Sequence, residues 1–249
     1  MNQQVLLITG GGRGIGAAVA LLAARRGYAV AVNYTSNSLA ADEVVRTIRA
    51  GGGTAMAVQA DVGDEAQVLA MFETVDAKLG RLTALVNNAG VVDVQARVDE
   101  MSVARLERMF RINVIGSFVC AREAVRRMST KHGGSGGAIV NISSAASRLG
   151  SPGLYVDYAA SKGAIDTFTL GLAKEVADEG IRVNAVRPGL IATDIHASGG
   201  MPERANALAP SVPMKRVGNA EEIAGAVLWL LSPEASYTTM ALVDVSGGR

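Results

Sequence analysis

Short apolar runs alternate with longer segments of helical composition along the whole chain of 249 residues. Seven runs have the length and composition of strands: Val5–Ile8, Ala29–Val32, Ala55–Val58, Leu82–Val86, Ala138–Ile142, Ile181–Val186 and Ala241–Val245. Most are apolar at consecutive positions, as in strands covered on both faces. Segments rich in Ala, Leu, Glu and Arg lie between them, at 17–26, 39–50, 65–79, 118–128 and 159–177. The alternation predicts an α/β fold in which helices cover both faces of a doubly wound, seven-stranded parallel sheet.

The connections between these elements indicate one domain with a loop over its site. Neither a Pro- or Ser-rich linker nor a repeat divides residues 1–249. In a doubly wound sheet, ligands bind beyond the carboxyl ends of the strands, so the chemistry is expected in the loops that follow strands. The irregular segment 195–214 contains three prolines, and long loops of this kind are typical of substrate covers.

Charge, cysteine and histidine content argue against several function classes. A formal net charge of +1 gives no electrostatic case for binding nucleic acid or an anionic membrane. No apolar run is long enough to span a bilayer, and the first residues lack the features of a signal peptide, so we expect a cytoplasmic protein. Cys120 lies in an apolar stretch and is expected to be a small buried hydrophobe. His132 and His196 lack partners at metal-ligand spacing, so no metal site is predicted.

The first predicted strand runs into a glycine-rich turn, Thr9-Gly10-Gly11-Gly12-Arg13-Gly14-Ile15-Gly16. Glycines between a strand and a helix let a pyrophosphate approach the backbone, and the helix N-terminus favours its negative charge. The spacing Gly-x-x-x-Gly-x-Gly differs from the Gly-x-Gly-x-x-Gly fingerprint of dinucleotide folds. A merely flexible turn is the alternative, but the position between a strand and a helix favours nucleotide binding.

Four motifs together resemble those of the short-chain dehydrogenase/reductase family. Residues 9–16 match its Thr-Gly-x-x-x-Gly-x-Gly motif, and residues 87–90 match Asn-Asn-Ala-Gly. Residues 158–162 match Tyr-x-x-x-Lys, and residues 188–189 match Pro-Gly. The motifs occur in family order over nearly the whole chain. The resemblance implies a Rossmann fold, a homotetramer, and an oxidoreductase that moves hydride between a nicotinamide and a hydroxyl or carbonyl substrate.

Tyr158 and Lys162 stand four residues apart in a predicted helix, so their side chains lie on one face. A free phenol has a pKa of about 10, too high for an efficient base at neutral pH, and a nearby ammonium lowers that pKa. Taken alone, the spacing fits an ordinary amphipathic helix better. The resemblance assigns Tyr158 as general acid/base and Lys162 as its electrostatic partner, which also binds the nicotinamide ribose.

Two further catalytic positions are implied by the resemblance. A Ser at the end of the fifth strand is expected to hydrogen-bond the reacting oxygen. Ser143 and Ser144 are adjacent there and point in opposite directions, and the resemblance favours Ser144. Ser144 lies one residue farther from Tyr158 than is usual, which indicates an insertion in the loop where Tyr155 lies. Asn113 matches the family position that holds a proton-relaying water, and the resemblance favours this role over the alternative of a solvated or locally bonded helical Asn.

The end of the second predicted strand indicates which nicotinamide cofactor is used. NAD sites usually place an acidic residue about 20 positions after the glycines. Here the strand ends Val32-Asn33-Tyr34-Thr35-Ser36, with no acid before Asp42. The 2′-phosphate of NADP is therefore not repelled, and Arg13 can supply a cation unless its side chain faces solvent. The side chains of Asn33 and Thr35 can add hydrogen bonds, so NADP(H) is expected over NAD(H).

The resemblance implies the remaining cofactor contacts, which would otherwise be ordinary loop residues. Asp61 and Val62 are expected to flank the adenine, and the residues after the sixth strand to contact the nicotinamide end. The full set is Gly10, Gly12, Arg13, Gly14, Ile15, Gly16, Asn33, Tyr34, Thr35, Asp61, Val62, Asn87, Ala89, Gly90, Tyr158, Lys162, Pro188, Gly189, Ile191 and Thr193.

The substrate stays open between two classes, since the pattern is close to both glucose/ribitol-type dehydrogenases and 3-oxoacyl-carrier-protein reductases. Met201, Leu208 and Met214 favour an apolar pocket, whereas Lys215 and Arg216 supply a basic pair that an acyl carrier requires. The alternative function is a non-catalytic NADP(H)-sensing protein on the same fold, which needs only the glycine turn.

One position departs from the family pattern, in a region that commonly meets a neighbouring subunit. Thr239-Met240 stands where the family often has Thr-Gly. Because glycine permits a positive φ, Met240 indicates either a different turn or altered packing.

Overall fold

The computed structural model describes residues 3–193, 200 and 207–249. Its strands are all parallel and form one sheet: β1 (Val5–Ile8), β2 (Ala29–Tyr34), β3 (Ala55–Gln59), β4 (Ala84–Asn87), β5 (Gly137–Ile142), β6 (Ile181–Pro188) and β7 (Leu242–Val245). The order across the sheet is β3-β2-β1-β4-β5-β6-β7. The predicted seven-stranded, doubly wound sheet is confirmed.

Helices connect the strands on both sides of the sheet. They are α1 (Gly14–Arg25), α2 (Ser38–Ala50), α3 (Glu65–Leu79), α4 (Val103–Phe110), α5 (Gly116–Met128), α6 (Ala146–Leu149), α7 (Val156–Val176) and α8 (Ala220–Leu231). Five coincide with the predicted helical segments, whereas α4, α6 and α8 were not predicted. None of the helices in the described part of the chain has the length and apolar character that crossing a bilayer requires.

Two apolar clusters, one on each face of the sheet, form the core. On one face, Leu6 and Ile8 of β1 pack with α1, α2 and α8. On the other, Val5 and Leu7 pack with α3, α5 and the second half of α7. Because successive side chains of a strand point to opposite faces, a strand buried on both must be apolar at consecutive positions. This explains the unbroken apolar runs in the sequence.

The order of the strands reverses at β1, which lies between β2 and β4. The chain leaves β1 and β4 towards opposite sides, and such a switch point opens a crevice at the carboxyl edge of the sheet. Thr9 joins the two diverging loops at their base, since its Oγ1 accepts from the backbone amides of Asn88 and Ala89, each at 3.0 Å. The candidate site therefore rests on a fixed floor.

Part of the predicted substrate cover, 195–214, lies outside the described residues. Its described end contains a 3-10 turn at Ala209–Ser211 and the buried Val212. The backbone amide of Met214 donates to the carbonyl oxygen of Gly247 at 3.1 Å. This end is thus tied to the turn that follows β7.

Met240 adopts a φ of +66°, in the left-handed region that favours glycine. Its amide donates to the carbonyl oxygen of Val183 at 2.7 Å, and its side chain is 40% exposed. The sequence left open whether Met240 changes the turn or the packing, and the structure shows that the turn is not changed. The chain forms the turn expected of glycine, with a methionine in it.

Met240→Gly is expected to raise the free energy of unfolding by about 0.5–1 kcal/mol. A side chain in the left-handed region costs about 1–2 kcal/mol, and the greater freedom of glycine in the unfolded chain offsets part of that gain. Thermal denaturation should show a midpoint higher by roughly 1–4 °C. Met214→Gly, at an exposed methionine without positive φ, should give no increase. An unchanged midpoint for Met240→Gly would mean that packing of the methionine outweighs the strain.

Candidate active site

A cavity of about 1130 Å³ opens at the carboxyl edge of the sheet. Ligand pockets commonly measure about 300–1,000 Å³, so this one has room for a large ligand. Most predicted site residues line it: Gly10, Gly12, Arg13, Gly14, Ile15, Asn33, Tyr34, Thr35, Asp61, Val62, Ala89, Gly90, Ser144, Tyr158, Lys162, Pro188, Gly189, Ile191 and Thr193. Gly16, Asn87 and Asn113 lie behind the cavity wall.

The glycine turn leaves open space where side chains would otherwise stand. Gly10 and Gly14 have φ values of +63° and +52°, which favour glycine. A Cβ on Gly10 would lie 3.1 Å from the Cα of Ala89, and one on Gly14 would lie 3.3 Å from Cγ2 of Thr193. Glycines therefore keep this floor of the cavity bare, as close approach of a pyrophosphate requires.

Helix α1 begins beside this floor without a side-chain cap. The residue before it, Arg13, is extended and its side chain accepts no hydrogen bond from the first turn, which also contains no acid. By contrast, Asn37, Asp64 and Asn219 cap α2, α3 and α8. Uncapped N–H groups at the positive end of a helix bind anions. The residues present thus fit a dinucleotide with its pyrophosphate at α1.

Gly16 lets the first turn of α1 pack directly against the glycine turn. A Cβ there would collide with the carbonyl oxygen of Gly10 and lie 2.7 Å from Nδ2 of Asn88. That nitrogen donates to the carbonyl oxygens of Thr9 and Gly10, both at 2.9 Å. The expectation that Gly16 contacts the cofactor directly is corrected, because this glycine permits packing of α1 against the turn.

Asn33 is also part of the scaffold. Its side chain is only 1% exposed, and Oδ1 accepts from the amide of Gly10 at 3.1 Å. Nδ2 donates to the carbonyl oxygens of Val58 and Ala60 at 3.3 and 3.0 Å. The expectation of a hydrogen bond from this amide to the cofactor is corrected: Asn33 joins the glycine turn to the ends of β2 and β3.

The cavity beyond β2 has cationic and hydroxyl groups but no acid among residues 33–37. Thr35, Ser36 and Asn37 line it, and Arg13 lines it from the glycine turn with an exposed side chain. Helix α2 starts here and carries no acid in its first turn. The surroundings therefore favour a negatively charged group.

Asn87 faces the core and not the cleft, which corrects a third expectation. Its side chain is 4% exposed, and Nδ2 donates to the carbonyl oxygen of Ser117 at 3.2 Å and to Oδ1 of Asn141 at 3.0 Å. Asn141 in turn donates to Oγ1 of Thr169 at 2.9 Å. This chain of amides ties β4 to β5 and α7 behind the site.

Tyr158 and Lys162 lie one turn apart on α7 and both line the cavity. The Lys162 ammonium lies 5.7 Å from the centroid of the Tyr158 ring and donates to the carbonyl oxygen of Ile142 at 2.7 Å. Burial lowers the pKa of Lys162 to about 8, while the negative charge of Asp166 opposes that shift. A cation is thus held at a fixed position beside the phenol, as the motif predicts.

Asn113 belongs to a π-helical turn, Arg111–Ile115, between α4 and α5. It is fully buried, and its amide pairs with the backbone of Val91 through Oδ1 at 2.8 Å and Nδ2 at 3.0 Å. Nδ2 also lies 3.1 Å from Oγ of Ser161. A Cβ on Gly90 would lie 3.4 Å from Oδ1 of Asn113 and 3.5 Å from the Lys162 ammonium. Asn113 and Lys162, which are distant in sequence, therefore both lie against Gly90.

The two adjacent serines have different surroundings. Oγ of Ser143 is buried and donates to the carbonyl oxygen of Lys162 at 3.2 Å. Ser144 is half-buried on the cavity wall, where its Oγ accepts from the amide of Ala146 at 3.1 Å and keeps its own proton to donate. The geometry thus favours Ser144 as the one that meets a ligand.

Comparison with known proteins supplies the family. A family model described as enoyl-(acyl carrier protein) reductase matches residues 10–249. An uncharacterized oxidoreductase of Escherichia coli, YgfF, is 57% identical over 98% of this chain and 99% of its own. The chain belongs to the short-chain dehydrogenase/reductase family. It is an oxidoreductase of that family.

Two named relatives of this dehydrogenase/reductase are almost equally similar to it. Glucose 1-dehydrogenase 2 of Bacillus subtilis is 39% identical over all of this chain and 95% of its own. A 3-oxoacyl-[acyl-carrier-protein] reductase of Synechocystis is 40% identical over all of this chain and 97% of its own. The solved structure of a variant short-chain dehydrogenase/reductase of Serratia marcescens has 34% identity, a TM-score of 0.91 and coverage of 99% of this chain and 98% of its own.

Several residues of the dehydrogenase/reductase cavity were not predicted. They come mainly from the loop after β4 and from the two ends of the loop before α7: Val91, Val92, Asp93, Ala145, Ala146, Leu149, Ser151, Pro152, Leu154 and Tyr155, with Arg108 of α4, Leu190 and Arg249. For most of these residues, the one sequence feature that could have indicated a place in the cavity was their position in a loop that follows a strand. Arg249 is held by its backbone oxygen, which accepts from Ser246 at 2.8 Å and Arg148 at 3.1 Å.

Residues expected at the substrate pocket or as a basic pair lie elsewhere. Met201 and His196 are outside the described residues, and neither Leu208 nor Met214 lines the cavity. Arg216 is paired with Glu222 at 2.6 Å, and Lys215 donates to the carbonyl oxygen of Pro210 at 3.0 Å; neither lines the cavity.

Cys120 and the carboxylates and histidines outside the cavity show no reactive or metal-binding arrangement among the described residues. Burial raises the pKa of the Cys120 thiol to about 12, with a further contribution from Glu123, so the thiolate is absent at neutral pH. Within the described part of the chain, no three His, Cys, Asp or Glu side chains come together as metal ligands.

Proposed function

We propose that this short-chain dehydrogenase/reductase interconverts a secondary alcohol and a ketone with NADP(H), using Tyr158 as general acid/base. The observation that carries the proposal is that Ser144, Tyr158 and Lys162 line one cavity, with Asn113 buried behind Gly90 of its lining. A cofactor-sensing protein would need the glycine turn alone.

Each residue has a defined task in the reducing direction. When bound, the nicotinamide supplies the hydride. Ser144 Oγ and the Tyr158 hydroxyl donate hydrogen bonds to the carbonyl oxygen, so they stabilise the negative charge that develops there. The hydroxyl of Tyr158 then gives its proton to that oxygen. The Lys162 ammonium stabilises the resulting phenolate, and Asn113 holds the loop at Val91 next to it.

The function is tested by measuring rates with NADPH and NADH against ketones, β-keto esters, diketones and sugars. The expected result is that the enzyme turns over a carbonyl or alcohol substrate with at least one of the two cofactors. Tight cofactor binding without turnover of any substrate would favour the sensing protein. Since its relatives include both a sugar dehydrogenase and a 3-oxoacyl reductase, the panel includes both substrate classes.

The preference for NADP(H) is supported by Arg13 and by the absence of acids at residues 33–37. Arg13→Ala is expected to lower kcat/KM for NADPH by about tenfold or more, because a hydrogen bond to a charged group contributes roughly 1.5–3 kcal/mol. The value for NADH should change by less than about threefold, since no 2′-phosphate is present to lose a contact. A wild-type enzyme that prefers NADH would contradict the assignment.

Ser144→Ala is expected to lower kcat by roughly 100- to 1,000-fold, since it removes one donor to the developing oxyanion. Ser143→Ala is the matched control. It loses the buried bond to the carbonyl of Lys162, so we expect a loss of stability of about 1 kcal/mol with a much smaller effect on kcat. Steady-state kinetics and thermal denaturation of both variants distinguish the serines, and the reverse pattern would assign the role to Ser143.

A homotetramer is also proposed, on the basis of exposed apolar and small residues on α5 and α7. Phe118 is 47% exposed and stacks on Phe168 with ring centroids 3.8 Å apart. Added Cβ atoms on Gly163 and Gly171 would meet nothing within 4 Å, so a neighbouring helix can approach closely. Light scattering should then report four times the 25.6 kDa mass of the chain.

A further inference from the structure

Arg105 of α4 connects two separate parts of the cavity wall. Its Nε and Nη2 donate to the two carboxylate oxygens of Asp157, at 2.7 and 3.2 Å. Its Nη1 donates to the carbonyl oxygen of Val94 at 2.7 Å. Asp157 directly precedes Tyr158, and Val94 follows the cavity-lining residues of the loop after β4. One guanidinium therefore binds both the start of the tyrosine helix and the loop opposite.

This ion pair is buried, unlike most pairs on the molecule. The side chain of Asp157 is fully buried and that of Arg105 is 10% exposed. A planar guanidinium bound to both oxygens of a carboxylate fixes distance and orientation, which a lysine cannot do. In addition, Asp157 lies in the first turn of α7, where its negative charge interacts favourably with the positive end of the helix dipole.

The loop bound by Arg105 is held at two other points. Asn113 pairs with the backbone of Val91, and Arg108 lies 3.1 Å from Asp93. Arg108 itself lines the cavity, whereas Arg105 does not. The loop is thus fixed at three of four successive residues. Two of these contacts also reach the helix of Tyr158: Asn113 through Ser161, and Arg105 through Asp157 at the first turn.

We propose that Arg105 is a positioning residue for the reaction, which holds the Tyr158 helix and the loop 91–94 in one fixed arrangement. The proposal rests on the acid/base role proposed for Tyr158. Arg105 acts through Asp157, so it sets the position of the phenol relative to the wall that a substrate contacts. Misplacement of reacting groups by about 1 Å can lower rates by about 100-fold.

Arg105→Gln and Asp157→Asn, singly and together, test this role. We expect each to lower kcat by roughly 10- to 100-fold and to raise KM for the carbonyl substrate. The affinity for NADPH should change little, because Arg105 donates to Asp157 and Val94 and not to the glycine turn or β2. The double variant should lose no more than the worse single one, since both remove the same contact. Arg105→Lys should recover part of kcat because it keeps the charge without the two-oxygen geometry.

Arg127→Gln is the control for a purely structural loss. Arg127 is 16% exposed and pairs with Asp76 and Glu123, and none of these three residues lines the cavity. It should lose stability with kcat of the folded enzyme unchanged. Equal losses of kcat in Arg105→Gln and Arg127→Gln, each measured well below its unfolding temperature, would overturn the positioning role.

Hydrogen exchange gives a readout that does not require activity. In Arg105→Gln, amides of residues 91–97 and 155–160 should both exchange faster, whereas Arg127→Gln should leave both segments protected. Faster exchange in only one segment would overturn the proposal. If both segments respond but the wild-type enzyme turns over no carbonyl or alcohol, the connection stands and the proposed function is at fault.

Discussion

Tyr158→Phe is expected to lower kcat/KM by about 100- to 10,000-fold, the usual contribution of a positioned general acid or base. The substitution removes only the hydroxyl, so the ring should keep its place on α7 beside Lys162. Binding of the cofactor should change little, because the hydroxyl of Tyr158 is only one of the expected cofactor contacts and the glycine turn and Lys162 are unaffected. Initial rates with the best substrate of the panel, together with NADPH titrations, measure both quantities.

Tyr155→Phe is the matched control for this prediction. Tyr155 is buried, lines the same cavity and lies three residues before Tyr158, but the residue four positions after it is Ala159. It therefore lacks the cation on the next turn. We expect a loss of activity below about tenfold, since its hydroxyl is not needed for proton transfer. A Tyr158→Phe enzyme that kept wild-type rates would overturn the catalytic assignment.

Lys162→Met is expected to abolish most activity and to stabilise the protein at neutral pH. The buried ammonium has a pKa of about 8, below its ordinary value of 10.5, because burial disfavours the charged form. The folded state then holds fewer protons than the unfolded state between these two values. The contribution of Lys162 to wild-type stability is therefore expected to rise as the pH increases from about 8 to about 10.5, by about 3 kcal/mol.

Methionine has a similar length and carries no charge, so it removes this dependence on pH. The carbonyl oxygen of Ile142 loses its bond to the ammonium, which costs about 1 kcal/mol. We expect a net gain of roughly 1–2 kcal/mol at pH 7, absent near pH 10.5, and a loss of kcat of at least about 100-fold. Denaturant unfolding without cofactor, at several pH values, measures the first two effects.

Lys174→Met, at an exposed lysine of the same helix, is the control for charge removal. Its stability should follow the wild-type curve across the pH range. If the Lys162→Met curve also follows that of the wild type, the ammonium is not destabilised in the folded protein. A stable, inactive Lys162→Met enzyme would show that the site is maintained for its chemistry at the expense of stability.

The backbone of the site was predictable from sequence because its signals are local. The glycine turn, the apolar runs and the Tyr158–Lys162 spacing each involve a few neighbouring residues, and the strands were predicted within two residues at either end. The family motifs then indicated which loops face one another. Such information is sufficient to locate a cavity at the edge of a parallel sheet.

The direction of individual side chains at strand ends was not predictable. Asn33 and Asn87 lie at the carboxyl ends of β2 and β4, yet their amides bind backbone and core groups that are distant in sequence. The bond between Arg105 and Asp157 spans 52 positions and joins a helix that was not predicted. Likewise, the fully buried position of Asn113 depends on a π-helical turn that no residue pattern predicts.

The strand order has a consequence for how this protein is made. Strand β4 is buried along its whole length. Its neighbour β5 is not synthesised until about 50 residues later, after α4 and α5. At about 5–20 residues per second, a ribosome needs roughly 3–10 s to supply it. During that time a nascent chain exposes an apolar strand edge, which is the kind of surface that pairs with other chains. Fragments that end before Gly137 should therefore aggregate, and efficient synthesis should depend on chaperones that shield this edge.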